Sequence, residues 1–278
     1  MDALVSTQWL AEHLEDADLR VLDARWFIEE RDAAAEFQRA HIPGARFLDL
    51  TSLADATHQA PMMLPPAGQV ADRLSTLGVG ASDRIVVYDN SPLRTSARAW
   101  WMLHKIYGLP NVAILDGRFG KWQAEGRPVE SDASTSPRSV VSLQAKTDGV
   151  RELAQMTANL NRRVEQVVDA RGAGRFSGAE AEPRPDVTPG HIPGSMNLPY
   201  HHLVNEDGTY KTVAALQAAF DAAGVDLDSP LVVTCGSGIT AAVLVFAAHL
   251  LGKNIALYDG SWSEWGADPQ TPKATGAA

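Results

Sequence analysis

The chemistry this sequence offers begins at its one cysteine, Cys235, which closes the apolar run Leu231-Val232-Val233-Thr234 and opens the loop Gly236-Ser237-Gly238-Ile239-Thr240. A short β-branched run of this kind reads as a buried strand. A residue at the carboxyl end of such a strand stands where open α/β sheets bind their ligands. Glycines at alternate positions, Gly236 and Gly238, can turn successive backbone N–H groups inward, and the loop leads straight into a helical pattern. Converging N–H groups at a helix N-terminus stabilise an anion, so a thiolate or a sulfur-bearing anion at Cys235 is favoured over its neutral form. Cys235 therefore reads as a nucleophile. A small buried apolar side chain, the other common use of cysteine, leaves the glycines unexplained. One cysteine also excludes an intramolecular disulfide and a cysteine-based zinc site.

The elements that must position Cys235 occur twice. Val21-Leu22-Asp23-Ala24-Arg25 returns 146 residues on as Val167-Val168-Asp169-Ala170-Arg171, and His41-Ile42-Pro43-Gly44 returns 150 residues on as His191-Ile192-Pro193-Gly194. Offsets this close mark two copies of one unit. Ile85-Val86-Val87-Tyr88-Asp89 matches Leu231 to Cys235, and Asp116-Gly117 matches Asp259-Gly260, so the first copy carries Asp89 where the second carries its cysteine. Asn90-Ser91-Pro92-Leu93 contains no glycine, which predicts that this first loop does not turn N–H groups inward.

Within each copy, β-branched runs alternate with helical patterns. Val70, Leu74 and Leu77, followed by Gly78 as a cap, predict an amphipathic helix; Ala241 to Leu251, ending at Gly252, predicts a buried one. The alternation implies an α/β fold used twice, each copy a mainly parallel sheet flanked by helices on both faces. The expected division is residues 1–130, a linker at 131–149 rich in Ser, Thr and Pro, and residues 150–278. Positions repeated in the copy without cysteine, His41 with His191 and the Asp23-Arg25 and Asp169-Arg171 pairs, read as structural. Trp262 and Trp265 read as core.

The composition is that of an ordinary globular protein, and 278 residues suit two domains. A net charge of −10 repels nucleic acid and anionic lipid, so an anionic substrate needs a local basic site. No apolar run is long enough for a membrane span. The acids Asp2, Glu12, Glu15, Asp16 and Asp18 are unlike a signal peptide, which predicts a cytoplasmic address.

Across nearly its whole length the chain resembles the tandem rhodanese family of thiosulfate and mercaptopyruvate sulfurtransferases. The paired Asp-Ala-Arg and His-Ile-Pro-Gly motifs, a first copy without cysteine, and a six-residue loop opening at Cys235 carry the resemblance. It implies a persulfide formed on Cys235, a small anionic sulfur donor, an acceptor that is a thiol, a dithiol protein or cyanide, and no metal or organic cofactor. Cys-Gly-Ser-Gly-Ile-Thr is similar to the mercaptopyruvate branch, whereas the thiosulfate branch usually has basic residues where Gly236 and Ser237 stand. Arg175 and Arg184 are similar in place to arginines that hold the donor carboxylate, a task suited to the planar guanidinium fork; otherwise they are surface residues paired with Glu180 and Glu182. Ser237 is implied as a hydroxyl for the donor carbonyl, and Gly236, Gly238, Ile239 and Thr240 as the rest of the substrate-binding loop. The acid and histidine that often assist that serine in mercaptopyruvate enzymes are replaced by Thr51 and Met62, with His58 close by in sequence. A cysteine phosphatase is disfavoured because Ala241 stands where its loop arginine belongs, and a non-catalytic persulfide carrier is disfavoured by the intact second loop.

Overall fold

The computed structural model describes residues 1–28, 31–131 and 137–277. Of the expected linker, 132–136 lie outside the described residues. The first sheet contains β1 (Leu4–Val5), β2 (Leu19–Asp23), β3 (Arg46–Phe47), β4 (Arg84–Tyr88) and β5 (Val112–Leu115) in the order β1-β5-β4-β2-β3. The second contains β6 (Val150–Arg151), β7 (Gln166–Asp169), β8 (Met196–Asn197), β9 (Leu231–Thr234) and β10 (Ala256–Tyr258) in the equivalent order β6-β10-β9-β7-β8. Every pairing between these strands is parallel. The duplication read from the sequence is thus a duplication of topology. Register agrees as well: Asp23 lies opposite Tyr88, and Asp169 opposite Thr234.

β4 and β9 are the central strands, and their side chains from Ile85 to Tyr88 and from Leu231 to Thr234 are buried, as expected of strands covered on both faces. The chain runs outward from β7 to β8 and then returns to place β9 on the other side of β7. That reversal makes the carboxyl ends of β7 and β9 the switch point of the sheet.

The helix Ala67–Thr76 buries Val70 and Leu74, and Gly78 closes it with φ 63, a left-handed conformation that suits glycine. The helix Ala241–Leu250 is buried from Ala241 through Ala248. It follows directly from the Cys235 loop and shows no polar face, because it lies inside the second unit rather than on its surface.

The compact units are not contiguous in sequence. One comprises Met1–Ala54, Leu64–Lys146 and Glu206–Tyr210; the other Asp55–Met63, Thr147–Asn205 and Lys211–Ala278. The expected division at 1–130 and 150–278 therefore differs from them by two short segments and by residues up to Lys146. Backbone bonds account for the last difference, since Ser139 N–H donates to Ser75 and Lys146 N–H to Ile106 within the first unit. Among the described residues no helix is long and apolar enough to cross a membrane.

Candidate active site

Cys235 is the first residue beyond β9, and its side chain is buried. Its carbonyl accepts from the Trp262 N–H at 2.9 Å, and the next carbonyl, of Gly236, accepts from the Ser263 N–H at 2.8 Å. Gly238 has φ 73, the one loop residue that needs glycine's left-handed freedom. The N–H groups of Cys235 and Gly238 both donate to Ser261 Oγ, at 3.2 and 3.1 Å. Ile239 and Thr240 are buried, and their carbonyls accept from Ala242 and Val243, which starts the helix. Gly236 and Ser237 are the half-buried part of the loop, so the residues the loop itself turns to solvent carry no charge.

Arg175 is brought to this edge. Its Nη2 lies 3.1 Å from the position a Cβ on Gly236 would take. The short helix Ala173–Ser177 carries it, and Glu182 aims it: Glu182 Oε2 accepts from Arg175 Nη2 at 2.5 Å, and Oε1 from Arg171 Nη1 at 2.7 Å. Arg171 also pairs with Asp169 at 2.6 Å. Burial disfavours the Arg171 charge, but Asp169 and Glu182 together outweigh that and keep it firmly protonated. Carboxylate and guanidinium thus alternate from the end of β7 to the Cys235 loop in the order Asp169, Arg171, Glu182, Arg175; the Arg175–Glu182 pair is among those expected of surface arginines, whereas the bond of Glu182 to Arg171 had no signal in the spacing.

Arg184 is placed elsewhere. It is 40% exposed, lies 3.7 Å from Asp186, and lines a cleft of about 510 Å³ with His58, Asp186, Ser263, Glu264 and Asp268. Ser263 joins the two places, since it lines the cleft and holds the Gly236 carbonyl. His58 faces Glu264, with Nε2 3.5 Å from Oε1. The Ala60 N–H donates to His58 Nδ1 at 3.0 Å, so Nδ1 is an acceptor and the ring proton sits on Nε2. Glu264 also accepts from the Tyr258 hydroxyl at 2.7 Å, and burial together with that carboxylate pushes the phenol's titration far up. Thr51 donates to Asp49, and Met62 is buried, so neither position supplies an acid or a histidine.

The repeated residues are structural in both units. Arg25 and Asp23 form a buried pair at 2.5 Å, matching Arg171 and Asp169. His41 and His191 are buried, stack on Phe37 and Phe176 at 4.1 and 3.9 Å, and bond the carbonyls of those residues through Nδ1. Trp262 and Trp265 are wholly enclosed, with ring N–H groups satisfied by Thr188 and Pro272 carbonyls.

The expectation for the first loop is corrected. Although it has no glycine, the N–H groups of Ser91 and Ser96 turn onto the buried Asp89 carboxylate at 2.8 and 2.9 Å. The Asp89 side chain organises its own loop as an Asx turn and caps the helix Thr95–Trp100, work that needs no glycine. Among the described residues no group of three His, Cys, Asp or Glu side chains is arranged to hold a metal ion. Ser261 is the residue that sequence reasoning missed; the signal was its place after Asp259-Gly260, where the first copy has Arg118.

Comparison with known proteins agrees with this geometry. The model of the rhodanese-like domain matches residues 6–125 and again 151–268. The chain is 42% identical over 272 residues to 3-mercaptopyruvate sulfurtransferase of Rattus norvegicus, covering 95% of this chain and 91% of that one. It is 40% identical over 287 residues to thiosulfate sulfurtransferase of Cricetulus griseus, covering 99% and 96%. The crystal structure of SseA from Escherichia coli, a 3-mercaptopyruvate enzyme of rhodanese fold, superposes with a TM-score of 0.86 at 37% identity, over 94% of this chain and 99% of that one.

Proposed function

The chain belongs to the rhodanese-like family and is a sulfurtransferase, and we propose that it takes the sulfur of 3-mercaptopyruvate onto Cys235 and passes it to a thiophilic acceptor. In the first half-reaction the Cys235 thiolate attacks the donor sulfur. A sulfur–sulfur bond forms, the carbon–sulfur bond breaks, and its electron pair leaves as pyruvate enolate, which is then protonated. In the second, the acceptor attacks the outer sulfur and Cys235 leaves as thiolate. A thiol, a dithiol protein or cyanide all satisfy this chemistry. Ser237, half-buried on the loop, is assigned to the donor carbonyl as a hydrogen-bond donor, which gains strength as charge develops on that oxygen. Gly236, Gly238, Ile239 and Thr240 are assigned as the loop that encloses the transferred sulfur.

The observation that carries the donor assignment is that the loop's own half-buried residues, Gly236 and Ser237, carry no charge. Thiosulfate is a compact dianion that leaves as sulfite, and it calls for cations beside the attacked sulfur, whereas Gly236 and Ser237 carry none. Mercaptopyruvate places one carboxylate several atoms from its sulfur, within the province of an arginine at the rim. Arg175 is the better-placed candidate, held against Gly236 by Glu182, and Arg184 in the adjoining cleft is the second. The same position of Arg175 supports thiosulfate as the alternative donor, because it brings one cation to the loop. A cytoplasmic setting suits the reading, since a reducing compartment keeps a lone thiol and its acceptors available.

Initial rates with both donors test the assignment. The expected result is a higher kcat/KM for mercaptopyruvate, with ping-pong kinetics; a higher value for thiosulfate reverses the donor and leaves sulfur transfer standing. A Cys235 adduct that no acceptor removes points instead to a persulfide carrier.

A further inference from the structure

We infer that Ser261 is a positioning residue for sulfur transfer, its hydroxyl pinning the turn that presents Cys235. The inference rests on Cys235 being the nucleophile. Ser261 follows β10, is fully buried, and has φ 49, a left-handed conformation that L side chains rarely adopt. Its one proton goes to the Tyr258 carbonyl at 2.8 Å. Its lone pairs are thereby left to the loop, where the oxygen accepts from the N–H groups of Cys235 and Gly238 at 3.2 and 3.1 Å. A single atom thus ties the first residue of the turn to the fourth, and residues 235 to 238 cannot open without breaking a bond to it.

The first copy shows that the hydroxyl is more than a by-product of the backbone. Arg118 occupies the equivalent place with φ 61, and the neighbouring Phe119 N–H donates to the Asp89 carbonyl as the Trp262 N–H donates to that of Cys235. The left-handed backbone is therefore common to both copies. What differs is the side chain: Arg118 donates to the Ser91 carbonyl, while Ser261 accepts from loop N–H groups. The clamp on the loop N–H groups belongs to the copy that carries the sulfur. A nucleophile displaced by about 1 Å loses on the order of a hundredfold in rate, so such a clamp acts on turnover rather than on donor binding.

The test compares Ser261→Ala with Ser261→Gly. Glycine keeps the left-handed backbone without strain and removes only the hydroxyl, so it separates positioning from backbone conformation. We expect both variants to lose about ten- to a hundredfold in kcat, with donor KM within about twofold and with circular dichroism and melting of the glycine variant like those of the parent. A glycine variant with parental kcat overturns the inference, as does a rise in KM alone. If the alanine variant fails to fold, the glycine variant decides; if that also fails, the hydroxyl is a folding element and the inference falls. Intact-mass measurement of the parent protein after donor treatment keeps the two readings apart. No sulfur adduct removes the Cys235 mechanism, whereas an adduct with unaffected variants removes only the role of Ser261.

Discussion

The loops after β4 and β9 are the same device with different occupants. In the first, the Asp89 carboxylate receives the N–H groups of Ser91 and Ser96, with the Arg118 guanidinium 4.0 Å from it. In the second, the matching residue is Cys235 and the matching clamp is the neutral Ser261. The first loop is complete in itself, its anion built in and its cation alongside. The second carries a sulfur in that position and draws its cation from Arg175, on a different element. Duplication thus yields one loop that supplies its own anion and one that, on the proposed mechanism, takes charge from a substrate, and a change at the residue after the central strand is the hinge of the difference.

The largest test of that contrast is Cys235→Ser, which we expect to abolish transfer from either donor with the fold intact, because a serine hydroxyl forms no persulfide. Turnover above the uncatalysed rate, followed as pyruvate or thiocyanate, breaks the comparison. Next, Arg175→Ala and Arg184→Ala should each raise donor KM about tenfold or more, a charge-assisted hydrogen bond contributing roughly 1.5 to 3 kcal/mol. Equal and unchanged kinetics in both variants would return them to the role of surface residues. In the first copy, Asp89→Asn should cost about 1 to 3 kcal/mol in urea unfolding, since it removes a buried anion that two N–H groups face, with kcat unaltered. A loss of kcat at constant stability would show that the first loop takes part in turnover.

The smallest effect concerns acid. Glu125 stands where the second copy has Asp268, and the Thr7 hydroxyl, then Arg127 and Lys121, hold its carboxyl down to about 2 from the ordinary 4.5. A depressed folded-state pKa contributes stability that is present above 4.5 and is lost as pH falls toward 2. The stability gap between the parent and Glu125→Gln should therefore be open at neutral pH and close across that window. A gap of constant size would show that these contacts do not favour the ionised form.

Much of this was legible in the chain. Repeated Asp-Ala-Arg and His-Ile-Pro-Gly motifs foretold two α/β sheets of one topology, because positions in register between two copies must serve one backbone plan. Cys235 and its glycines foretold the loop, a local object written in consecutive residues. What escaped is what long-range packing decides. Nothing near Ser261 announces that its oxygen reaches back 26 residues to Cys235, and nothing near Glu182 announces that it bonds Arg171 as well as Arg175. His58 lies in the segment Asp55–Met63, which packs with the second unit despite belonging to the first half of the sequence. The prediction for the Asp89 loop failed for a related reason: glycines are one way to turn N–H groups inward, and a side-chain carboxylate that bonds its own neighbours is another.

The enclosed helix Ala241–Leu250 has a further consequence, for the time course of the molecule rather than its shape. With every side chain from Ala241 to Ala248 buried, its amides can meet solvent only when the second unit opens as a whole. β9, central and paired on both sides, is held as firmly. The six residues of the loop are strung between two elements whose hydrogen exchange should rank among the slowest in the chain. On the proposed mechanism the transferred sulfur is therefore carried on a stiff mount, and the motions that admit a donor and then an acceptor are those of the half-buried rim at Gly236 and Ser237, not of Cys235 itself.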